Sequence, residues 1–361
     1  RGLRAFQQDV RTAGERIVQR ADRVGHVRLQ PLTHLAVASD RVVHVEFVAA
    51  GLRDQLVLRR RTLADQRREP IGVDDVTGAD ADVFLDRMIC GRLPRRDGRV
   101  GLCYLLNHHG MLKSEATIAR LPASDRGPAR IWYGAAAAAA EHDLDWLTAH
   151  IGADQDVKIT SLTNDQTILV LAGPKARDVM AAVSRADWSA QAFPWLSLRE
   201  CFIGIAPATV MAVSFSGELA YEIHVPNASL YAAWLALRAA GQGHGLTLFG
   251  ARAVESMRME KGYLHWKADI LTEFDPFETG LDRFATLDKG DFVGHAALAE
   301  RPVPSKHLVT LALDSEGAPA HGGASVMHEN RVVGTVTSGA YGHRIGRNLA
   351  YAFVEAGLQA D

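Results

Sequence analysis

Three short segments carry side chains that could bind or transform a small molecule. The first, Leu105-Leu-Asn-His-His-Gly-Met-Leu-Lys-Ser-Glu115, reads as a strand, a tight polar turn at Gly110 and a second strand with a carboxylate near its start. A carboxylate so placed can accept a proton or stabilise a developing positive charge. Taken alone, a solvated edge carboxylate explains it more simply. His108 and His109 are adjacent, so on extended backbone they would face opposite ways, and no third metal ligand accompanies them. The second segment, Val213-Ser-Phe-Ser-Gly-Glu-Leu-Ala-Tyr-Glu-Ile-His-Val-Pro226, sets Glu218 and Glu222 around a turn, with Phe215 and Tyr221 beside them. An aromatic ring offers a stacking face to a flat heterocycle, and one carboxylate accepts two adjacent N–H donors on its edge. A hairpin with exposed carboxylates is the alternative. Phe215 stands where a nucleophile elbow would need Ser, so acyl-transfer chemistry of that type is excluded. The third segment runs from Arg258-Met-Glu-Lys-Gly262 through Asp275-Pro-Phe-Glu-Thr-Gly-Leu281. It is a helix end followed by a loop rich in aromatic and charged residues, which suits a site lining or a charge-paired surface.

These segments need elements to hold them. Ala79 to Met88 has helical spacing, with Val83, Phe84 and Met88 on one face. Strands are expected over Val100–Leu106, Thr117–Leu121, Ala129–Tyr133, Gln166–Ala172 and Val210–Phe215. A helix is expected over Gly134–Ile151, where alanines dominate. Gly173-Pro174 opens another, and two more span Ser229–Ala240 and Ala251–Lys261, the last closed by Gly262. Alternating strands and helices with short connections give an α+β or α/β domain. The tail differs: a strand over His307–Leu313, a hairpin from Ser325 to Thr337 turning at Glu329-Asn330, and a strand over Leu349–Val354. That is a small β module. Residues 1–72 are Arg-rich, contain no Lys and carry no motif, and are left unassigned. Domain boundaries fall at 1–72, 73–300 and 301–361, with linkers at Gln30–Leu35 and Pro302–Pro304.

Composition narrows the function classes. The chain has 361 residues, 47% hydrophobic and 23% charged, with a formal net charge of -2. That charge gives no electrostatic case for nucleic acid or an anionic membrane as partner, so a small molecule is the better expectation. Apolar runs are too short to span a bilayer, and Arg1-Gly-Leu-Arg4 opens no secretory signal. Three cysteines, Cys90, Cys103 and Cys201, form no C-x-x-C, which argues against a disulfide framework or zinc site and for buried thiols in a reducing, cytoplasmic setting. No Gly-x-Gly-x-x-Gly is present to bind a dinucleotide.

In this order, the blocks Leu106-Asn-His-His-Gly110, Ser216-Gly-Glu-Leu-Ala-Tyr-Glu222, Arg258-Met-Glu-Lys-Gly262, Phe277-Glu-Thr-Gly-Leu281, Asp291-Phe-Val-Gly294 and Thr337-Ser-Gly-Ala-Tyr341 resemble the folate-binding aminomethyltransferase family. That family includes the glycine cleavage T-protein and the C-terminal regions of dimethylglycine and sarcosine dehydrogenases. The Asp291 block and Lys261-Gly-Tyr-Leu-His-Trp266 resemble the flavin-linked branch more than the T-protein. The resemblance implies an α+β T-protein-like folate-binding domain, then a small β-barrel domain that is truncated here. It implies tetrahydrofolate as cofactor. The implied reaction captures the carbon released by oxidative demethylation of a methylated amine as 5,10-methylenetetrahydrofolate. FAD enters only through a separate flavin dehydrogenase domain or subunit, which would be the macromolecular partner. Alternatives are a stand-alone folate-dependent aminomethyltransferase or demethylase, and a folate-binding protein without turnover. By position, Glu115 matches the catalytic carboxylate, which is Asp in T-proteins. Glu222 matches the pterin-binding glutamate. Phe215 stands at a stacking position that is commonly Tyr, and Tyr221 and Asn107 complete the implied cofactor contacts.

Overall fold

The computed structural model describes residues 43–48, 71–315 and 317–358. The linker expected at Gln30–Leu35 lies outside them. Fifteen strands and six α-helices are described, in three sheets.

A five-stranded antiparallel sheet is built from β2 (Ile71–Thr77), β3 (Val100–Leu106), β4 (Leu112–Leu121), β5 (Arg130–Ala136) and β6 (Lys158–Ser161), in the order β3-β4-β5-β2-β6. A six-stranded sheet holds β1 (Val43–Val48), β7 (Gln166–Ala172), β8 (Leu198–Ile203), β9 (Ala206–Met211), β10 (Ala220–Pro226) and β11 (Leu246–Leu248), in the order β11-β1-β7-β10-β9-β8. The unassigned N-terminal segment therefore supplies β1, which runs parallel to β11 and antiparallel to β7.

The two sheets face each other, and side-chain alternation divides each strand between two environments. On β4, Ala116 and Ile118 point outward to a core shared with Phe84, Leu85 and Met88 of α1 (Ala81–Met88) and Leu147 of α2 (Ala140–Ala149). Ala119 and Leu121 point inward and meet Val73, Trp132, Ile168, Leu198 and Met211 between the sheets. On β10, Tyr221, Ile223 and Val225 point outward into the largest core, beneath α3 (Ala176–Val183) and α4 (Leu230–Gly241). The result is helix, sheet, sheet, helix in layers, with one face of each sheet turned to the other.

After α5 (Ala251–Glu260) the chain crosses the ends of both sheets in a long loop and the short α6 (His295–Ala299). It then forms a four-stranded antiparallel sheet from β12 (Lys306–Leu313), β13 (Ser325–His328), β14 (Arg331–Gly342) and β15 (Arg347–Glu355), ordered β12-β15-β14-β13. Glu329 and Asn330 both take positive φ, 49° and 63°, the conformation a two-residue hairpin turn requires. This sheet docks on α5: Tyr351 donates its hydroxyl to Met259 O at 3.0 Å, and Ser256 Oγ donates to Tyr341 O at 2.6 Å.

Three sequence expectations need correction. Gly134, Ala135 and Ala136 extend β5 instead of opening a helix; Ala135 lies between Ala116 and Gly72 in the sheet, and α2 begins at Ala140. Alanine's helix propensity yields where a ladder position on both sides is available. The strand expected over Val210–Phe215 ends at Met211, so Phe215 sits on the following loop. On α1, Leu85 joins Phe84 and Met88 in the core, while Val83 is exposed.

Candidate functional site

Glu115 lies on the inward face of β4, directly opposite Tyr104 on β3. The Tyr104 hydroxyl donates to Glu115 Oε2 at 2.7 Å. Burial pushes the Glu115 carboxyl up to about 7, against the Tyr104 hydrogen bond and the charge of Arg258, which both favour the ionised form. Burial also raises the Tyr104 hydroxyl well above its ordinary range, and the neighbouring Glu115 charge adds to this, so Tyr104 remains a donor.

The turn before Glu115 is held from both sides. Asn107 Oδ1 accepts hydrogen bonds from the backbone N–H of His109 at 2.9 Å and of Met111 at 3.1 Å. Asn107 thus spends its side-chain carbonyl on the turn. Gly110 at φ 78° and Gly294 at φ 85° pack together; a Cβ on Gly294 would stand 2.4 Å from Asn107 O and 3.3 Å from Gly110 Cα. That contact brings two sequence blocks separated by almost the whole domain against each other.

Arg258 is fully buried at the end of α5. Its guanidinium donates to Asp269 Oδ2 at 2.7 Å, Glu255 Oε2 at 2.6 Å, Tyr263 O at 2.8 Å and Ser338 Oγ at 3.0 Å. Asp269 in turn accepts from Thr337 Oγ1 at 2.6 Å, so the C-terminal sheet completes the network. Phe215 stands with its ring centroid 5.9 Å from Arg258 Cζ and 5.9 Å from the His265 ring. Phe215 thus flanks the cation whose charge also favours the ionised form of Glu115.

Glu222 faces the same inter-sheet space from β10. It lines a narrow cleft with Val73, Thr117, Trp132, Gly134, Met211 and His224. Thr117, which lines the cleft, is two residues beyond Glu115 on β4, so the Glu115 side chain is on the same face of the sheet as this cleft. Tyr221 does not share this space. It points to the opposite face of β10 and packs against Trp188 and Phe193 at centroid distances of 5.7 and 6.0 Å. Adjacent residues on a strand cannot line one cleft, which overrides the expectation that Tyr221 contacts a ligand. Glu218 lies on the turn and pairs with Arg344 at 2.5 Å, tying this turn to the C-terminal sheet.

The GCVT N-terminal domain matches residues 68–289, and the glycine cleavage T-protein C-terminal barrel domain matches residues 306–361. The chain belongs to the glycine cleavage T-protein family. This is a folate-dependent aminomethyltransferase family, and its members are enzymes.

Among relatives of this family member, mitochondrial dimethylglycine dehydrogenase of Homo sapiens is 28% identical over 316 residues, covering 86% of this chain and 36% of the relative. Sarcosine oxidase subunit alpha of Rhizobium meliloti is 31% identical, covering 80% and 30%. The aminomethyltransferase of Prosthecochloris aestuarii is 27% identical, covering 78% and 77%. The chain thus spans about a third of the length of the dehydrogenase relatives. Its fold is that of glycine cleavage system aminomethyltransferase T from Bartonella henselae, with TM-score 0.72 at 21% identity, covering 88% of this chain and 79% of that one.

Among the described residues, no cluster of three or more His, Cys, Asp or Glu is arranged to hold a metal ion, and no helix is long and apolar enough to cross a membrane. Burial pushes the Cys90 and Cys103 thiols up to about 12, which makes them poor nucleophiles, while Cys201 is only half-buried. The candidate site also contains residues that the sequence left without a role: Tyr104, Asp269, Thr337 and His224. Counting back from the Asn107–Gly110 turn in regular register would pair Tyr104 with Ser114; a one-residue register shift at Leu105–Leu106 brings it opposite Glu115 instead. Asp269 and Thr337 gave no local signal, because their partner Arg258 reaches them only through the tertiary fold.

Proposed function

We propose that this chain binds tetrahydrofolate in the cleft between the two sheets and positions it for one-carbon transfer. In this reading the carbon comes from oxidative demethylation of a methylated amine at a flavin-containing domain or subunit. The observation that carries it is the shared inward orientation of Glu115 and Glu222, one carboxylate with its pKa raised to about 7 and the other lining the cleft.

The residues fit such a ligand. Glu222 offers a carboxylate with two acceptor oxygens for adjacent N–H donors of a pterin edge. Gly134 lines the cleft and adds no side chain to it. Phe215, 38% exposed beside Arg258, offers a stacking face. Bound tetrahydrofolate supplies the amine nitrogens that accept the carbon unit. Glu115, held by Tyr104, takes or returns a proton near neutral pH, where a carboxyl of about 7 exchanges readily. In its ionised form it also stabilises positive charge developing at those nitrogens. Arg258 acts at a distance: it lowers the Glu115 carboxyl and fixes the loop from Tyr263 to Asp269. Asn107 supports the site by shaping the turn that leads into β4.

The dehydrogenase relatives favour the flavin-linked version of this role over a stand-alone enzyme. Titrating the chain with tetrahydrofolate by calorimetry, then assaying 5,10-methylenetetrahydrofolate with and without a supplied dimethylglycine-oxidising flavoprotein, tests both parts. Absence of tetrahydrofolate binding would sink the reading. Product formed from free formaldehyde at the same rate without the flavoprotein would favour the stand-alone version.

A further inference from the structure

His224 follows Glu222 by two residues on β10, so both side chains enter the inter-sheet space. It is 4% exposed, and among the described residues neither of its ring nitrogens has a hydrogen-bond partner. Its Nε2 lies 3.4 Å from Glu222 Oε2, and its ring sits 5.5 Å from the Trp132 ring. All three residues line the same cleft. A buried imidazole with both nitrogens unpaired is costly unless something that enters the cleft completes it. The nearby carboxylate favours the tautomer with hydrogen on Nε2, which leaves His224 a donor on the side of the cleft that Glu222 occupies.

On the folate reading given above, Glu222 accepts the 2-amino group and the ring N3–H of a pterin. The next group along that edge of a 4-oxo pterin is a carbonyl oxygen, an acceptor. We propose that His224 donates to this carbonyl and makes the cleft selective for 4-oxo over 4-amino pterins. The inference rests on the folate reading. A 4-amino group would set donor against donor at His224, and the ring nitrogen beside it would carry no hydrogen for Glu222. Two mismatches therefore coincide at one edge, and a site built to hydrogen-bond a substrate group discriminates strongly against its absence.

The test measures affinity of the full chain for tetrahydrofolate and for 4-amino-4-deoxytetrahydrofolate by calorimetry. The wild type should prefer the 4-oxo ligand by about tenfold or more. In His224→Phe, which keeps a ring against Trp132, that preference should fall by about tenfold, through weaker binding of the 4-oxo ligand and relief of the donor–donor mismatch with the 4-amino one. His224→Gln, which restores a donor, should recover part of it. A wild type that binds both ligands equally overturns the proposal whatever the variants do. So does a folded His224→Phe that keeps the wild-type preference. If the wild type binds both ligands, Glu222→Ala weakens both and His224→Phe changes neither, only this inference falls. If the wild type binds neither, the folate reading fails and takes the selectivity with it.

Discussion

Tyr104 and Glu115 face each other across the β3–β4 pair, and the Tyr104 hydroxyl donates to the Glu115 carboxylate at 2.7 Å. The bond favours the ionised form of a carboxyl that burial, even against this bond, pushes up to about 7. Tyr104→Phe should therefore raise the Glu115 pKa further and move the acid limb of the pH–rate profile for carbon transfer to higher pH. Circular dichroism would confirm that the fold survives. A profile that does not move would mean that the hydroxyl does not tune this carboxyl.

Glu115 should act in the chemical step and Glu222 in binding. Glu115→Gln keeps size and removes charge, so tetrahydrofolate affinity should change little while transfer slows by roughly 10²-fold. Glu115→Asp, the T-protein residue, should retain more activity than Gln. Glu222→Ala leaves two ligand donors unpaired and should weaken binding by about 10- to 100-fold. Calorimetry and single-turnover kinetics separate the two effects, and the reverse pattern would exchange the roles.

The raised Glu115 pKa also makes a stability prediction. The folded chain binds this proton more tightly than the unfolded one, so the group favours folding at low pH. Its contribution is lost as pH rises from the ordinary value of 4.5 to about 7. The full loss is on the order of 3 kcal/mol, reached above pH 7. Glu115→Gln removes this dependence. Its stability relative to wild type should increase between pH 5 and pH 8 in urea unfolding, and a constant difference would argue that the carboxyl is well solvated.

Arg258 and Asp269 are both fully buried and bound at 2.7 Å. Truncating one partner leaves the other charged and unpaired, so Arg258→Ala should cost about 3–5 kcal/mol in denaturant unfolding. The loss should be smaller when Asp269→Asn is already present, because the two changes share a network. Additive losses would show that the pair is not coupled.

Gly294 should not tolerate a side chain. Its φ of 85° disfavours any other residue, and a Cβ would meet Asn107 O at 2.4 Å. Gly294→Ala should destabilise by about 2 kcal/mol or more and loosen the Asn107–Gly110 turn, which hydrogen exchange at His109 and Met111 would report. Unchanged protection there would sink the claim that the two blocks brace one another.

The family was legible because its signature residues sit where the backbone or chemistry allows few substitutes. Gly110 and Gly294 hold positive φ, Gly217 at φ 73° leaves no space beside Lys261, and Glu329-Asn330 make the tail hairpin. Each such residue is marked by its own type and place in a short block, so the sequence alone determined the order of the blocks, the α+β class and the C-terminal β module. Tertiary structure decided what local chemistry leaves open. Gly134–Ala136 have no side chains large enough to declare a face, and cross-strand pairing made them strand. Tyr221 and Glu222 are neighbours in sequence, but the packing of β10 sent one into the core and the other into the cleft. Arg258 reached Asp269, Ser338 and the field around Glu115 only when α5, its following loop and the C-terminal sheet converged. A network of that kind depends on distances between elements far apart in the chain, and no spacing within a single segment encodes it.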